Sequence, residues 1–325
     1  MKIVAIKETF LMDGLAKMPR VDDMAGPHGS ARRSRQRSNR LLLTLLVAGM
    51  SWGPIARAEP AEPTAGIIRS TQAGEVAGVD GDVLSFKGIP YAAPPVGNRR
   101  WRPPVPPQRW KGVRQATRFG DDCFGVAGLR QGSLAPSMSE DCLYLNVWTP
   151  KEPGAGKRPV MVWVYGGSFI GGTSAIPLYD GAALARKGVV VVTFNYRTNI
   201  FGFFAHPGLS SESRNGVSGN YGLLDILAAL KWVKKNIGAF GGDPGQVTVF
   251  GESAGASALG LLLTSPQSQG LIQRAILESP GLTRPLATLS DTAALGSSLG
   301  DLNGLRSMDG ATLMSLAQSG LPAVR

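Results

Sequence analysis

Histidine and cysteine are scarce in this 325-residue chain, which has two of each. The histidines are His28 and His206 and the cysteines are Cys123 and Cys142. They form no C-x-x-C pair and no Cys/His cluster, which excludes a zinc-type site and thiol redox chemistry, and no metal or cofactor is expected. Long apolar runs are also missing. The main one, Leu41 to Gly49, is about half of the roughly 20 residues that a membrane-spanning helix needs, so no stable membrane span is expected. Charged residues are few, at 18%, yet the formal net charge is +11. Ten of the 34 Lys/Arg and four of the 23 Asp/Glu fall in residues 1–58, which leaves 24 basic against 19 acidic residues elsewhere. An excess that small, with no basic stripe interleaved by aromatics, excludes nucleic acid as the partner. With 43% hydrophobic residues the remainder is globular in composition and long enough to bury a core.

The basic excess has a local explanation. Arg32, Arg33, Arg35, Arg37 and Arg40 run into the apolar stretch from Leu41, and Ala56-Arg57-Ala58 follows. A positive n-region, a short h-region and a small-x-small site in that order are the pattern of an export signal. Residues 1–58 are therefore expected to be a leader cut after Ala58, for a secreted or periplasmic product, and Met24 would give the leader normal proportions. Residues 59–65 are a Pro/Ala-rich linker and residues 66–325 the folded domain. Export permits a disulfide between Cys123 and Cys142; two buried free thiols are the alternative.

The domain opens with a hairpin signal, Val79-Asp80-Gly81-Asp82 between two alternating runs. A proline-dense segment from Pro90 to Trp110 follows, read as irregular surface pinned by Trp101 and Trp110. Beyond Pro159 the pattern changes. Val160 to Tyr165, Val189 to Asn195, Val247 to Phe250 and Ala275 to Leu277 are continuous apolar runs, as in strands buried on both faces. Leu223, Ile226, Leu227, Leu230, Val233 and Ile237 recur at helical spacing between two of them, with Gly238 as the stop. Alternating strands and helices imply an α/β fold with a mostly parallel central sheet and an antiparallel N-terminal edge.

Two serines sit in a G-x-S-x-G pattern. With 43 glycines, chance alone supplies about half a match per chain, so context decides. Gly296-Ser297-Ser298-Leu299-Gly300 has no strand before it. Gly251-Glu252-Ser253-Ala254-Gly255 follows the run ending at Phe250 and precedes a helix-like stretch to Leu263. That is the strand, sharp turn, helix context that lifts a serine oxygen clear of a sheet edge, and it selects Ser253 as nucleophile. Backbone donors for an oxyanion are expected from Ala254, at the helix start, and from the turn Gly166-Gly167-Ser168-Phe169 after the strand Val160 to Tyr165.

With those elements in order the resemblance becomes specific. Glu140-Asp141-Cys142-Leu143-Tyr144-Leu145-Asn146-Val147 and Phe250-Gly251-Glu252-Ser253-Ala254-Gly255 resemble the two signatures of type-B carboxylesterases and cholinesterases. Lys87 to Ala92, Asn195-Tyr196-Arg197, Asn220 to Asp225 and Phe240 to Pro244 resemble further family segments, from about residue 66 to the end. The resemblance implies an α/β-hydrolase fold, a small-molecule carboxylic ester as substrate and an acyl-serine intermediate. It also implies oxyanion donors at Gly167, Ser168 and Ala254, a Cys123–Cys142 disulfide and a structural role for Glu252. Tyr165 stands where many relatives have histidine, and Ser168 where many have glycine or alanine; neither change removes a backbone donor.

One departure is larger. The 72 residues after Ser253 contain no histidine, whereas α/β-hydrolases place the triad acid and then the histidine after the serine. His206 precedes Ser253 in a segment that resembles a non-catalytic family stretch. The fold is thus expected to be truncated before its last strands, with an open sheet edge beyond Ala275 to Leu277, no triad acid or base, and no activity as it stands. A non-catalytic cholinesterase-like binding or adhesion protein is the rival, disfavoured by an intact Ser253 between its glycines. The leader yields the first test: mass spectrometry of the exported product is expected to find Glu59 at the N-terminus, and a soluble product retaining Leu41 to Met50 would refute the signal.

Overall fold

The computed structural model of the chain describes residues 2–6 and 65–320, apart from positions 153, 155 and 284. The cleavage site at Ala58, most of the expected leader and nearly all of the 59–65 linker lie outside the described residues.

Twelve strands and eight helices follow one another among the described residues. The strands are β1 (Lys2–Ile6), β2 (Ala65–Ser70), β3 (Glu75–Asp80), β4 (Val83–Pro90), β5 (Val113–Gln115), β6 (Asp122–Cys123), β7 (Met138–Ser139), β8 (Tyr144–Pro150), β9 (Arg158–Val164), β10 (Val190–Phe194), β11 (Gly242–Glu252) and β12 (Arg274–Glu278). The helices are α1 (Ala182–Ala185), α2 (Asn199–Phe203), α3 (Pro207–Glu212), α4 (Tyr221–Asn236), α5 (Ala254–Leu263), α6 (Leu289–Ser298), α7 (Leu302–Ser307) and α8 (Gly310–Gly320).

Ten strands form one sheet in the order β1-β12-β11-β9-β10-β8-β4-β3-β2, with β5 beside β3. From β1 to β10 the pairs are parallel, and from β10 to β2 they are antiparallel. The expected mixed sheet is present, and the Asp-Gly signal marks the β3–β4 hairpin. Strand β10, Val-Val-Val-Thr-Phe, is buried throughout. Its alternate residues supply both faces: Val190, Val192 and Phe194 enter the main core, while Val191 joins a separate cluster with Trp148 and Ala185. This is why the run does not alternate in sequence: a strand covered on both sides has no polar face.

Helix α4 ends at Asn236 with Ile237 as its cap, in line with the expected stop at Gly238. The chain does not reverse there. After α4 it continues as a 3-10 turn, Ile237–Phe240, and reverses at Gly241, whose φ of 82° is a conformation that favours glycine. One expectation needs correction: the edge beyond β12 is not open, since β1 pairs with β12 from Lys2↔Arg274 to Ile6↔Glu278. A short β-branched strand there satisfies a row of backbone groups that an exposed edge leaves unpaired.

A second core lies off the sheet, where Trp101 packs with Ile200, Phe201, Phe204, Leu305 and Leu313 from α2, α7, α8 and the α2–α3 connection. Two buried ion pairs lie close to it in the chain. Arg197, just after β10, gives its Nε to Asp225 Oδ2 at 2.7 Å and its Nη2 to Asp225 Oδ1 at 2.8 Å. Arg100 bridges Glu140 to the Leu305 carbonyl at 2.9 Å. Removing one partner of such a pair strands the other charge without solvent.

Cys123 and Cys142 form a disulfide with Cα atoms 5.0 Å apart. It joins β6 to the residues leading into β8. The sequence separation of 19 corresponds to about 3 kcal/mol in the loop-entropy estimate. Non-reducing peptide mapping is expected to recover the linked peptides, and Cys123→Ala/Cys142→Ala is expected to lose about that much stability to urea; two alkylatable thiols in protein folded under oxidising conditions would overturn the pairing.

Candidate active site

Three glycines allow the sheet and a helix to meet at Ser253. Strands β9 and β11 run parallel with Gly251 opposite Val164, so the residues beyond both strand ends emerge side by side. A Cβ on Gly255 would lie 2.1 Å from the Val164 carbonyl oxygen, and one on Gly251 would lie 2.7 Å from the same atom. A Cβ on Gly166 would lie 3.0 Å from Ser253 Cβ and 2.8 Å from Glu252 Oε2. Any side chain at these positions would push the start of α5 away from the end of β9.

Ser253 itself is strained, with φ 53° and ψ −121°, at the single residue between β11 and α5. A serine at a helix start ordinarily spends its oxygen on an N–H of the first turn. Ser253 makes no such bond, and its Oγ has no hydrogen-bond partner among the described residues. Its backbone is held instead. The Ser253 N–H donates to the Glu278 carbonyl at 2.9 Å, and the Ser253 carbonyl accepts from Ser257 N–H at 2.9 Å and Ser257 Oγ at 3.1 Å. Ser257 Oγ in turn accepts from Gly281 N–H at 2.9 Å.

The turn after β9 is equally constrained. Gly167, Ser168 and Phe169 have φ of 107°, 53° and 61°, and neither Gly167 nor Ser168 gives its N–H to another described residue. The far side is clamped: the Phe169 carbonyl accepts from Asn199 N–H at 2.6 Å, and the Ile170 carbonyl from Val126 N–H at 3.0 Å. The near side is locked by two tyrosines that sequence reasoning did not pair. Tyr165 and Tyr196 stack with ring centroids 4.5 Å apart, Tyr196 Oη donates to the Tyr165 carbonyl, and Tyr165 Oη donates to the Tyr196 carbonyl. Burial raises both phenol pKa values, so they are neutral donors. The only hint in the sequence is that Tyr165 departs from the histidine common in relatives.

The other sequence candidates fall outside this constellation. His206 caps α3, its Nδ1 accepting from Gly208 N–H at 3.0 Å, and its ring stacks on Phe204. Ser298 ends α6, with its Oγ bonded to the Leu295 carbonyl at 2.7 Å. Glu252 stands beside Gly166, and its register partner on β12 is Glu278. No group of His, Cys, Asp and Glu that could hold a metal occurs among the described residues, nor does a helix long and apolar enough to cross a membrane.

This geometry agrees with a family match: the model of the Carboxylesterase family fits residues 65–320. The chain belongs to the carboxylesterase family. Among curated proteins, it is 59% identical over 296 residues to the fumonisin B1 esterase of Sphingopyxis macrogoltabida, covering 91% of this chain and 54% of the relative. It is 45% identical over 260 residues to the para-nitrobenzyl esterase of Bacillus subtilis (strain 168), covering 77% and 52%. Among solved structures, a carboxylesterase of Geobacillus stearothermophilus superposes with a TM-score of 0.71 at 43% identity, covering 79% of this chain and 54% of that one. The chain thus spans about half the length of these relatives.

For this carboxylesterase chain, Gly255→Ala is the sharpest test of the close approach. Its Cβ would meet backbone rather than a movable side chain, so an overpacking loss of about 1–3 kcal/mol is expected. Urea denaturation reads it, and an unchanged midpoint would mean that α5 does not sit against β9.

Proposed function

We propose that residues 66–325 carry the nucleophile and oxyanion-binding half of a carboxylic ester hydrolase that works through an acyl-serine intermediate. One observation carries the reading: Ser253 is held at positive φ between β11 and α5, against Gly166, with its oxygen unspent on capping. A position that costs strain and leaves a hydroxyl free is explained by what the hydroxyl does.

In this mechanism Ser253 Oγ attacks the ester carbonyl carbon as a base takes its proton. The developing oxyanion accepts from the N–H groups of Gly167, Ser168 and Ala254, already fixed before substrate arrives, so little reorganisation is needed at the moment of reaction. The alcohol leaves with a proton, and water releases the acid from the acyl-serine. The substrate is a small-molecule carboxylic ester. The name of the relative at 59% identity makes fumonisin B1 the first ester to try, alongside a para-nitrobenzyl ester.

The 325-residue chain by itself is expected to be inactive. His206 is the only histidine among the described residues, its Nδ1 serves the α3 cap, and burial keeps Tyr165 and Tyr196 from acting as bases. Export to an oxidising compartment is part of the same proposal, supported by the disulfide. Cleavage after Ala58 would also remove β1 and bare the β12 edge, which favours aggregation.

The test joins this chain to the C-terminal half of the Sphingopyxis relative. Ser253→Ala in that fusion is expected to lower kcat by roughly 10⁶-fold, the scale of losing a serine nucleophile, while Ser298→Ala leaves it near the parent value. Equal loss in both variants, with folding intact, would mean that the wrong serine has been chosen. The unextended chain is expected to show no Ser253-dependent turnover of a nitrophenyl ester and no labelling by an organophosphate. Robust turnover that Ser253→Ala removes would reveal a base within it.

A further inference from the structure

The proline-dense segment gains a role once α4 is placed beside it. Pro103 to Pro107 forms one wall of a cavity of about 470 Å³, and α4 forms the other. That volume lies within the roughly 300–1,000 Å³ of small-molecule pockets. The wall is stiff. Four of its five residues are prolines with fixed φ, and the backbone is pinned by Ala93 N–H to the Val105 carbonyl at 2.8 Å and by Trp110 N–H to the Ala73 carbonyl at 2.9 Å. A preformed wall costs little ordering when a ligand binds.

The α4 wall is divided along its length. Leu224, Ala228, Lys231 and Lys235 follow at spacings of four, three and four, which puts them on one stripe, apolar at one end and cationic at the other. Arg109 adds a third cation from the opposite wall. Among the described residues, no carboxylate lines the cavity and none of the three cations makes a hydrogen bond or ion pair. Like charges four apart on a helix repel. A position in the last turn, near the negative end of the helix dipole, accounts for Lys235. It does not account for Lys231 one turn earlier, nor for Arg109 on another segment. Across from the stripe, Val105 is 46% exposed.

We propose that this cavity binds one long-chain carboxylate, its tail between Val105, the prolines and Leu224, and its head among Lys231, Lys235 and Arg109. The apolar-to-cationic order of the stripe matches a single amphiphile of negative charge, and it repels one of positive charge. The site is built mainly from α4 and the proline segment, with Gln72, Ala73, Tyr91 and Gln267 completing the lining, and neither Ser253 nor the Gly166–Phe169 turn contributes to it, so it is independent of the ester-hydrolase reading.

The experiment titrates the 325-residue chain calorimetrically with sodium dodecanoate below its aggregation concentration, with dodecanol and dodecyltrimethylammonium as controls. One dodecanoate per chain is expected, bound at least tenfold more tightly than either control and weakening as salt is raised. Lys231→Glu/Lys235→Glu is expected to weaken dodecanoate at least tenfold with an unchanged melting temperature, and Val105→Asp to do so by spoiling the tail site. Ser253→Ala is expected to leave binding intact, which separates this site from the esterase centre. Absent or equal binding of dodecanoate and dodecanol, unchanged binding in the double variant, or a response only to anionic vesicles would each overturn the proposal.

Discussion

The close approach of the α5 N-terminus to the end of β9 is the constraint on which the candidate site depends. At Gly255 and Gly251 the missing Cβ atoms let a helix start lie against the Val164 carbonyl, and at Gly166 the following turn lies against Ser253. This contact sets the serine and the turn that begins at Gly166 side by side, although about 85 residues separate them in sequence. Parallel pairing of β9 and β11 brings the two strand ends together, and the glycines remove the last ångström of separation.

Strain at the site is balanced by firm anchoring around it. Ser168, Phe169, Asn199, Ser253 and Ser279 are non-glycine residues at positive φ, and Phe169, Asn199 and Ser253 are held by backbone hydrogen bonds. The Tyr165–Tyr196 lock, the Asn199 clamp and the Ser257 bridge each fix backbone rather than side chain. Fixing backbone suits a site whose oxyanion donors are backbone N–H groups, because a donor contributes most when its position precedes the charge it meets. The buried Arg197–Asp225 pair extends this anchoring to α4. The same helix thus braces the turn region on one side and forms a wall of the cationic cavity with its outer stripe.

Much of the architecture was legible beforehand because it is local. Continuous β-branched runs gave β9 to β12, the 3.6-residue period gave α4, and the Asp-Gly turn gave the β3–β4 hairpin. The choice of Ser253 over Ser298 rested on the strand before one and not the other, and the structure shows Ser298 at a helix end. What the sequence leaves open is non-local. Helix α4 stops where Gly238 signals it, but the reversal at Gly241 after a further 3-10 turn depends on the path of the chain. The pairing of β1 with β12 joins residues about 270 apart, which no window of sequence can reveal.

The sequence by itself determined the mixed α/β order, the strand-turn-helix around Ser253, the family likeness and the absence of any histidine after the serine, since each is a property of neighbouring residues or of composition. Tertiary structure alone decided that Tyr165 would lock onto Tyr196, that His206 would spend its Nδ1 on a helix cap, and that four prolines would face a cationic stripe. Those outcomes depend on which surfaces meet when the sheet assembles. Packing brings together residues that sequence keeps apart, and the chemistry of a side chain follows from the partner it meets there.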